Sequence, residues 1–370
     1  MFKAFEEKRI KKIIFQYVGE YKLDLEGLSV YTEAASGYYL FTPIICSVAE
    51  AKKIYAVTKD SSWGRAVEIK RATYEVVNRW NLGKSVEVVR EKKPDHVSEC
   101  DIITNLGFVR PIDAEMISWM KKTAVIPLMW ETWEFRPNEI DISECKKRGI
   151  LMLGTDEHKI NFIDYTGYLT WKLLLESRIE VFKNKIFVIS SNPVARAINR
   201  LFHNNGVEFR WTSFHRNIEG EFKVYHIDRH DKKSILDYIS QCDAIVCDEK
   251  SFDMPIIGCE GIITPEELRE ANDSVLFIFR SGVIDYERMK QLGISIYPDK
   301  QVPFGYSTTC SYSLGPRSVI ELHVAGLKVG ETMARARLRG MDPSSAAEYS
   351  LKHSPAMDFE DEFSWTRNDG

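Results

Sequence analysis

From about Lys53 to Tyr297 the chain alternates apolar runs of strand length with amphipathic segments of helix length, and this alternation is what most limits the folds open to it. A strand that crosses over through a helix returns parallel to itself, so the class expected is α/β with parallel sheets. Strands are expected at 53–58 (KIYAVT), 85–89, 101–106, 124–129 and 150–153, ahead of a helix over 165–176. A second series is expected at 185–190 (KIFVIS), 207–212, 244–248, 275–279 and 294–297, with the break between the two near 177–184. Helical periodicity resumes from Pro316 to Arg339, and an acidic tail follows.

Composition narrows the partners. With 370 residues, 44% of them hydrophobic, the chain can bury two cores. Its 50 basic and 54 acidic residues are spread along it for a net charge of −4, which leaves no electrostatic footprint for nucleic acid or an anionic membrane and makes a small-molecule partner the expectation. The seven cysteines form no CxxC pair and mostly sit in apolar runs, as reduced thiols of a cytoplasmic protein do. Neither they nor the histidines cluster at zinc-ligand spacing, so no metal site is expected.

The stretch NKIFVISSNPVARAINRLFHNNGVEFRWTSFHR (184–216) reads as strand, tight turn, amphipathic helix and strand, the opening of a dinucleotide-binding unit. Glycines in such a loop permit the turn, let the backbone approach a pyrophosphate and let helix and strand pack closely. Here Ser190, Asn192 and Ala195 stand in their place. Asn tolerates left-handed φ and Ala is the smallest substitute at a close contact, so the turn can survive. Ser191 or Asn192 is a candidate cap, Pro193 suits the first turn, Val194 and Ala195 lead into the helix, and Arg196 can add a charge to a phosphate. After the second strand Ser213 and Arg216 stand where an NAD enzyme carries an acidic residue, a pairing suited to a 2′-phosphate; if a dinucleotide binds, NADP is favoured over NAD. A fold retained with its pocket filled by side chains is the alternative.

The segment NEIDISECKKRGILMLGTDEH (138–158), the order of the two strand series, and ITPEELREANDSVLFIFRSGVID (263–285) together resemble the D-isomer-specific 2-hydroxyacid dehydrogenases and the wider formate and glycerate dehydrogenase-like superfamily. The resemblance covers about 95 to 340 and implies two Rossmann-like domains with parallel sheets. A flavodoxin-like substrate domain over 1–178, with 340–370 packing back on it, would precede a dinucleotide-binding-type domain over 179–339. It further implies an NAD(P)-linked oxidoreductase acting on a 2-oxo or 2-hydroxy acid, in a homodimer. Arg280 matches the family's catalytic arginine, which grips a carboxylate at two points; Ser281 replaces a glycine and Asp285 matches the following aspartate.

The family's acid–base pair is not matched. Asp299 stands in the neighbourhood of its glutamate, while Cys310, Ser311 and Tyr312 stand where its histidine would be. His323 reads as a core residue, and His158, in a loop with Asp156 and Glu157, is the best substitute acid–base candidate. Gly107 and Arg110, after one strand, and Trp130, Glu131 and Arg136, after the next, correspond to the family's substrate loops and suggest a bulky polar ligand. A lid or an oligomer contact built on the same tryptophans is the structural alternative. The loop of 58–62 (TKDSS) at a strand end could touch a phosphate or carboxylate, or be an ordinary turn. Two further functions stay open: a non-redox or transient-redox reaction, as in the similar adenosylhomocysteine hydrolases, and a non-catalytic protein binding a metabolite or partner in an interdomain cleft.

Overall fold

The computed structural model of the chain describes residues 4–83, 85–215, 220–360 and 362–367. It divides into two compact units, Met1–Phe162 with Gly315–Gly370, and Ile163–Leu314. No helix among the described residues is long and apolar enough to cross a membrane.

The first unit runs α1 (Ala4–Glu20), β1 (Ser29–Glu33), α2 (Thr42–Val48), β2 (Lys53–Val57), α3 (Ala66–Arg79), β3 (Val86–Val89), α4 (Pro94–Ser98), β4 (Ile102–Ile103), α5 (Ala114–Trp119), β5 (Val125–Pro127), α6 (Ile142–Arg148) and β6 (Leu151–Thr155). Its helices form for legible reasons. Ile10, Ile13, Ile14 and Tyr17 place the buried stripe of α1 at helical spacing. Asp141 caps α6 by accepting from the Glu144 amide, and Gly149 ends that helix in the left-handed region at φ 67°, releasing the chain into β6.

The second unit contributes α7 (Asp164–Glu176), β7 (Lys185–Ile189), α8 (Val194–Asn204), β8 (Glu208–Thr212), α9 (Lys232–Ile239), β9 (Ala244–Asp248), β10 (Pro255–Ile257), α10 (Pro265–Ala271), β11 (Leu276–Ser281), β12 (Val283–Ile284), α11 (Tyr286–Gln291) and β13 (Ser295–Tyr297). Its main sheet has the order β13-β11-β9-β7-β8, all parallel. Alternate residues feed two cores: Phe187, Ile189, Ile245 and Phe277 lie in one, Ile186, Val188, Val246 and Ile278 in the other. Helices therefore cover both faces, the condition for an all-parallel sheet.

The chain then returns to the first unit as α12 (Pro316–Leu338), α13 (Pro343–His353) and β14 (Ala356–Met357). The first sheet reads β14-β6-β5-β4-β1-β2-β3, parallel except for β14. Without β3 and β14 this is the flavodoxin-like order 2-1-3-4-5, extended by one strand at each edge.

Two differences from the expected layout have physical causes. The unit boundary falls at 162 rather than 178, because α7 packs on α8: a Cβ on Gly167 would come within 2.8 Å of the Ala197 carbonyl. The helix expected to close the second domain belongs to the first, where Gly330 lets α12 approach the sheet so closely that a Cβ would stand 2.9 Å from Ile102 and Pro127. In addition, β1 is not among the expected strands, and it lies near the middle of its sheet.

Candidate functional site

In open parallel sheets ligands gather beyond the C-terminal strand ends, at the point where connections switch faces. In the second unit that point lies between β7 and β9. Ser190 and Ser191 follow β7, Ser213 follows β8, Asp248 ends β9 and Glu249 follows it. All five are buried. Ser190 Oγ donates to the Asp248 carbonyl at 2.7 Å, Ser191 Oγ to Glu249 Oε2 at 2.5 Å, and Ser191 and Ser213 hydroxyls stand 3.1 Å apart. Ser251 N–H donates to the other Glu249 oxygen at 2.7 Å. The loop's hydroxyls are thus turned inward, Ser190 onto a backbone carbonyl and Ser191 onto the Glu249 carboxylate, which sequence reading did not anticipate. Asn192, Pro193 and Val194 lead into α8, Ala195 is buried against the sheet, and Arg196 is exposed on the first turn. Arg216 lies outside the described residues.

Arg280 sits on a β-bulge. The pairing of β11 with β9 shifts between Phe279 and Ser281, so Arg280 and Ser281 together oppose Asp248. Such an extra residue re-aims a side chain. Arg280 Nε lies 2.9 Å from Asp248 Oδ2, a close ion pair though not aligned as a hydrogen bond, and Ser281 Oγ donates to Asp248 Oδ1 at 2.7 Å. Asp248 is fully buried and Arg280 nearly so. The neighbouring carboxylate balances the charge of the buried guanidinium. Asp285 is used locally, accepting from the Arg288 amide as the cap of α11.

Asp299 stands exposed beyond β13, bonded to Lys290 at 2.5 Å and to the Tyr286 hydroxyl. Those two bonds hold its carboxyl below the usual range, which keeps it ionised near neutral pH. Burial pushes the Tyr312 hydroxyl upward, the opposite of what a proton donor there needs.

In the first unit the switch falls between β1 and β4. Glu33 ends β1, is 4% exposed, and accepts the Phe108 N–H at 2.7 Å through Oε2. Burial pushes its carboxyl up to about 7, against the pull of that amide and of Arg110. A Cβ on Gly107 would stand 3.5 Å from Glu33 Oε2 and 3.8 Å from Arg110 Nη2, so glycine keeps open the space between acid and base.

Arg110 pairs with Glu139 and lies over Trp130, 5.2 Å from the ring centre; Arg136 reaches the same Glu139 at 3.7 Å. The fold therefore gathers Gly107, Arg110, Trp130 and Arg136, and it adds Glu33 and Glu139, which sequence reading missed. Glu131 is buried and does something else: it accepts from Trp133 Nε1 at 2.6 Å and from the Glu157 amide at 3.1 Å, fastening its loop to the one after β6. His158 is exposed in that loop, its amide bonded to Asp156 Oδ1 at 3.0 Å. His323 is a buried core residue, 2.9 Å from the Thr42 hydroxyl, and desolvation lowers its ring to about 4. Among the described residues no three metal-capable side chains stand together.

No protein-family model matches the sequence, and no curated protein does. Solved structures do. A dipicolinate synthase chain from Bacillus halodurans is similar at TM-score 0.53 and 12% identity, over 81% of this chain and 96% of that one. The corresponding dipicolinate synthase chain from Bacillus subtilis is similar at 0.55 and 10%, over 85% and 99%. A putative D-3-phosphoglycerate dehydrogenase from Ralstonia solanacearum is similar at 0.50 and 10%, over 88% and 100%. At the level of the fold, these likenesses bear out the resemblance to the D-isomer-specific 2-hydroxyacid dehydrogenases read from the order of motifs.

Proposed function

We propose that the chain is an NAD(P)-linked oxidoreductase-type enzyme acting on a polar 2-oxo or 2-hydroxy acid. The observation that carries this reading is Arg280, held by Asp248 on a bulge at the C-terminal end of a parallel strand, where a guanidinium can grip a carboxylate and polarise a neighbouring carbonyl. A solved structure of similar fold, described as a putative D-3-phosphoglycerate dehydrogenase oxidoreductase, supports the reaction class. The cofactor, when bound, supplies or accepts a hydride. The N-terminus of α8 and the exposed Arg196 suit its phosphates. In the first unit, Glu33, whose carboxyl burial raises to about 7, and the exposed His158 are the candidates for moving a proton. A homodimer belongs to this reading and is checked by light scattering on the purified chain.

Glu249 favours a second reading, in which the second unit keeps the scaffold and holds a ligand without hydride transfer. Its carboxylate on Ser191 puts negative charge beside the loop that would receive a pyrophosphate. Titration with NADPH, NADH and their oxidised forms, followed by nicotinamide fluorescence and thermal stability, separates the two. The first reading expects a micromolar complex that Arg196→Glu weakens. Absence of binding and of stabilisation by all four leaves the second.

A further inference from the structure

At the C-terminal ends of β2 and β3, neighbouring parallel strands joined there by the Thr58 N–H to the Val89 carbonyl, the first unit carries two lysines without a carboxylate at ion-pair distance among the described residues. Lys59 follows β2 and is half-buried. Lys92, three residues beyond β3, is half-buried and donates to the Pro111 carbonyl at 2.5 Å, which pins its ammonium against the residue after Arg110. Among the described residues neither lysine has a carboxylate at ion-pair distance, whereas neighbouring Arg90 is matched by Asp60 at 2.8 Å. Asp113 is, among the described residues, the acidic group that acts on Lys92, and its carboxylate accepts from the Met116 amide as the cap of α5. Burial above all, and the charge of Lys59 after it, lower Lys92 to about 8. The two lysines thus stand at adjacent strand ends, and the Lys92 contact with the Pro111 carbonyl ties them to the loop that carries Gly107 and Arg110.

We propose that Lys59 and Lys92 bind a second anionic group of the ligand, a phosphate or distal carboxylate, so that the first unit takes a dianionic acid rather than a simple monocarboxylate. This rests on the reading of the ligand as a 2-oxo or 2-hydroxy acid. Lysine, a compact charge on a flexible stem, fits a terminal phosphate or carboxylate that needs no fixed fork geometry.

The test compares ligands that differ only at the far end: 3-phosphoglycerate against glycerate, and malate against lactate, by isothermal titration of the whole protein. The tailed member of at least one pair should bind at least about tenfold more tightly, a charge-assisted contact's worth. That advantage should fall to about twofold in the Lys59→Met/Lys92→Met double variant and persist in Lys59→Arg/Lys92→Arg. Which pair shows it distinguishes phosphate from carboxylate. Equal affinity within both pairs, or an advantage that survives the methionines, overturns the proposal. Inorganic phosphate is titrated alongside: protection from thermal unfolding that the methionines abolish, with no hydroxy acid binding, keeps the anion site while the acid reading falls. Binding of neither phosphate nor any acid overturns both.

Discussion

Replacing Glu33 by glutamine tests the crevice of the first unit through its cost. The side-chain amide oxygen introduced there can still accept the Phe108 N–H, so the substitution removes the charge and keeps the contact. The folded chain binds the Glu33 proton with an affinity near 7, against 4.5 for an ordinary glutamate. A carboxyl raised in the folded state favours folding fully below the unfolded value and loses that contribution as pH rises through the folded one. At about 1.4 kcal/mol for each tenfold change in proton affinity, the loss is about 3 kcal/mol between pH 5 and pH 9. Wild type and Glu33→Gln should thus be of similar stability at pH 5, while at pH 9 the variant should be more stable by about that amount. Urea unfolding, read by peptide-resolved hydrogen exchange over β1 and β4, follows this unit apart from the other. A difference between the two proteins that stays flat from pH 5 to pH 9 would refute the reasoning, because Glu33 would then be ionised as easily in the fold as out of it.

Three further outcomes are expected. Asp248→Asn leaves the Arg280 charge buried without its partner and should cost about 3 kcal/mol in urea unfolding of the second unit; a loss under about 1 kcal/mol would mean that solvent already screens the pair. Glu249→Gln removes the negative charge at Ser191 and should tighten NADPH binding about tenfold in a fluorescence titration, with unchanged affinity counting against repulsion at the loop. Gly330→Ala should destabilise the first unit by about 1 to 2 kcal/mol despite the better helix propensity of alanine, since its methyl meets Ile102 and Pro127; a gain in melting temperature would contradict the close packing.

Much of the architecture is legible in the chain. The run AIVCD forms β9 residue for residue, and Thr264-Pro265 with Glu267 forms a capping box at the head of α10, in the segment that carries the family resemblance. The strand SVYTE escapes notice because Thr32 and Glu33 interrupt its apolar run and, with both faces buried, it shows no alternation to detect. Glu33 is lost with it. The periodicity of α12 announces a helix but does not say which sheet it covers, since that is decided by glycine contacts with Ile102 and Pro127, far away in the chain. Arg280 stands out by motif, yet its tie to Asp248 depends on a bulge, and a two-against-one pairing leaves no local mark in either strand.

The return of α12 to the first unit has a consequence for synthesis on the ribosome. Residues Ile163–Leu314 form a body complete in itself, whereas the sheet begun by β1 waits for α12 to cover β5 and β6 and for β14 to add its edge strand. The second unit can therefore close while the first is still an open sheet with an apolar face awaiting its cover. A nascent chain stopped short of Pro316 would carry a finished second unit behind an unfinished first, and it is the first that a chaperone would have to guard until the stretch from Pro316 onward emerges.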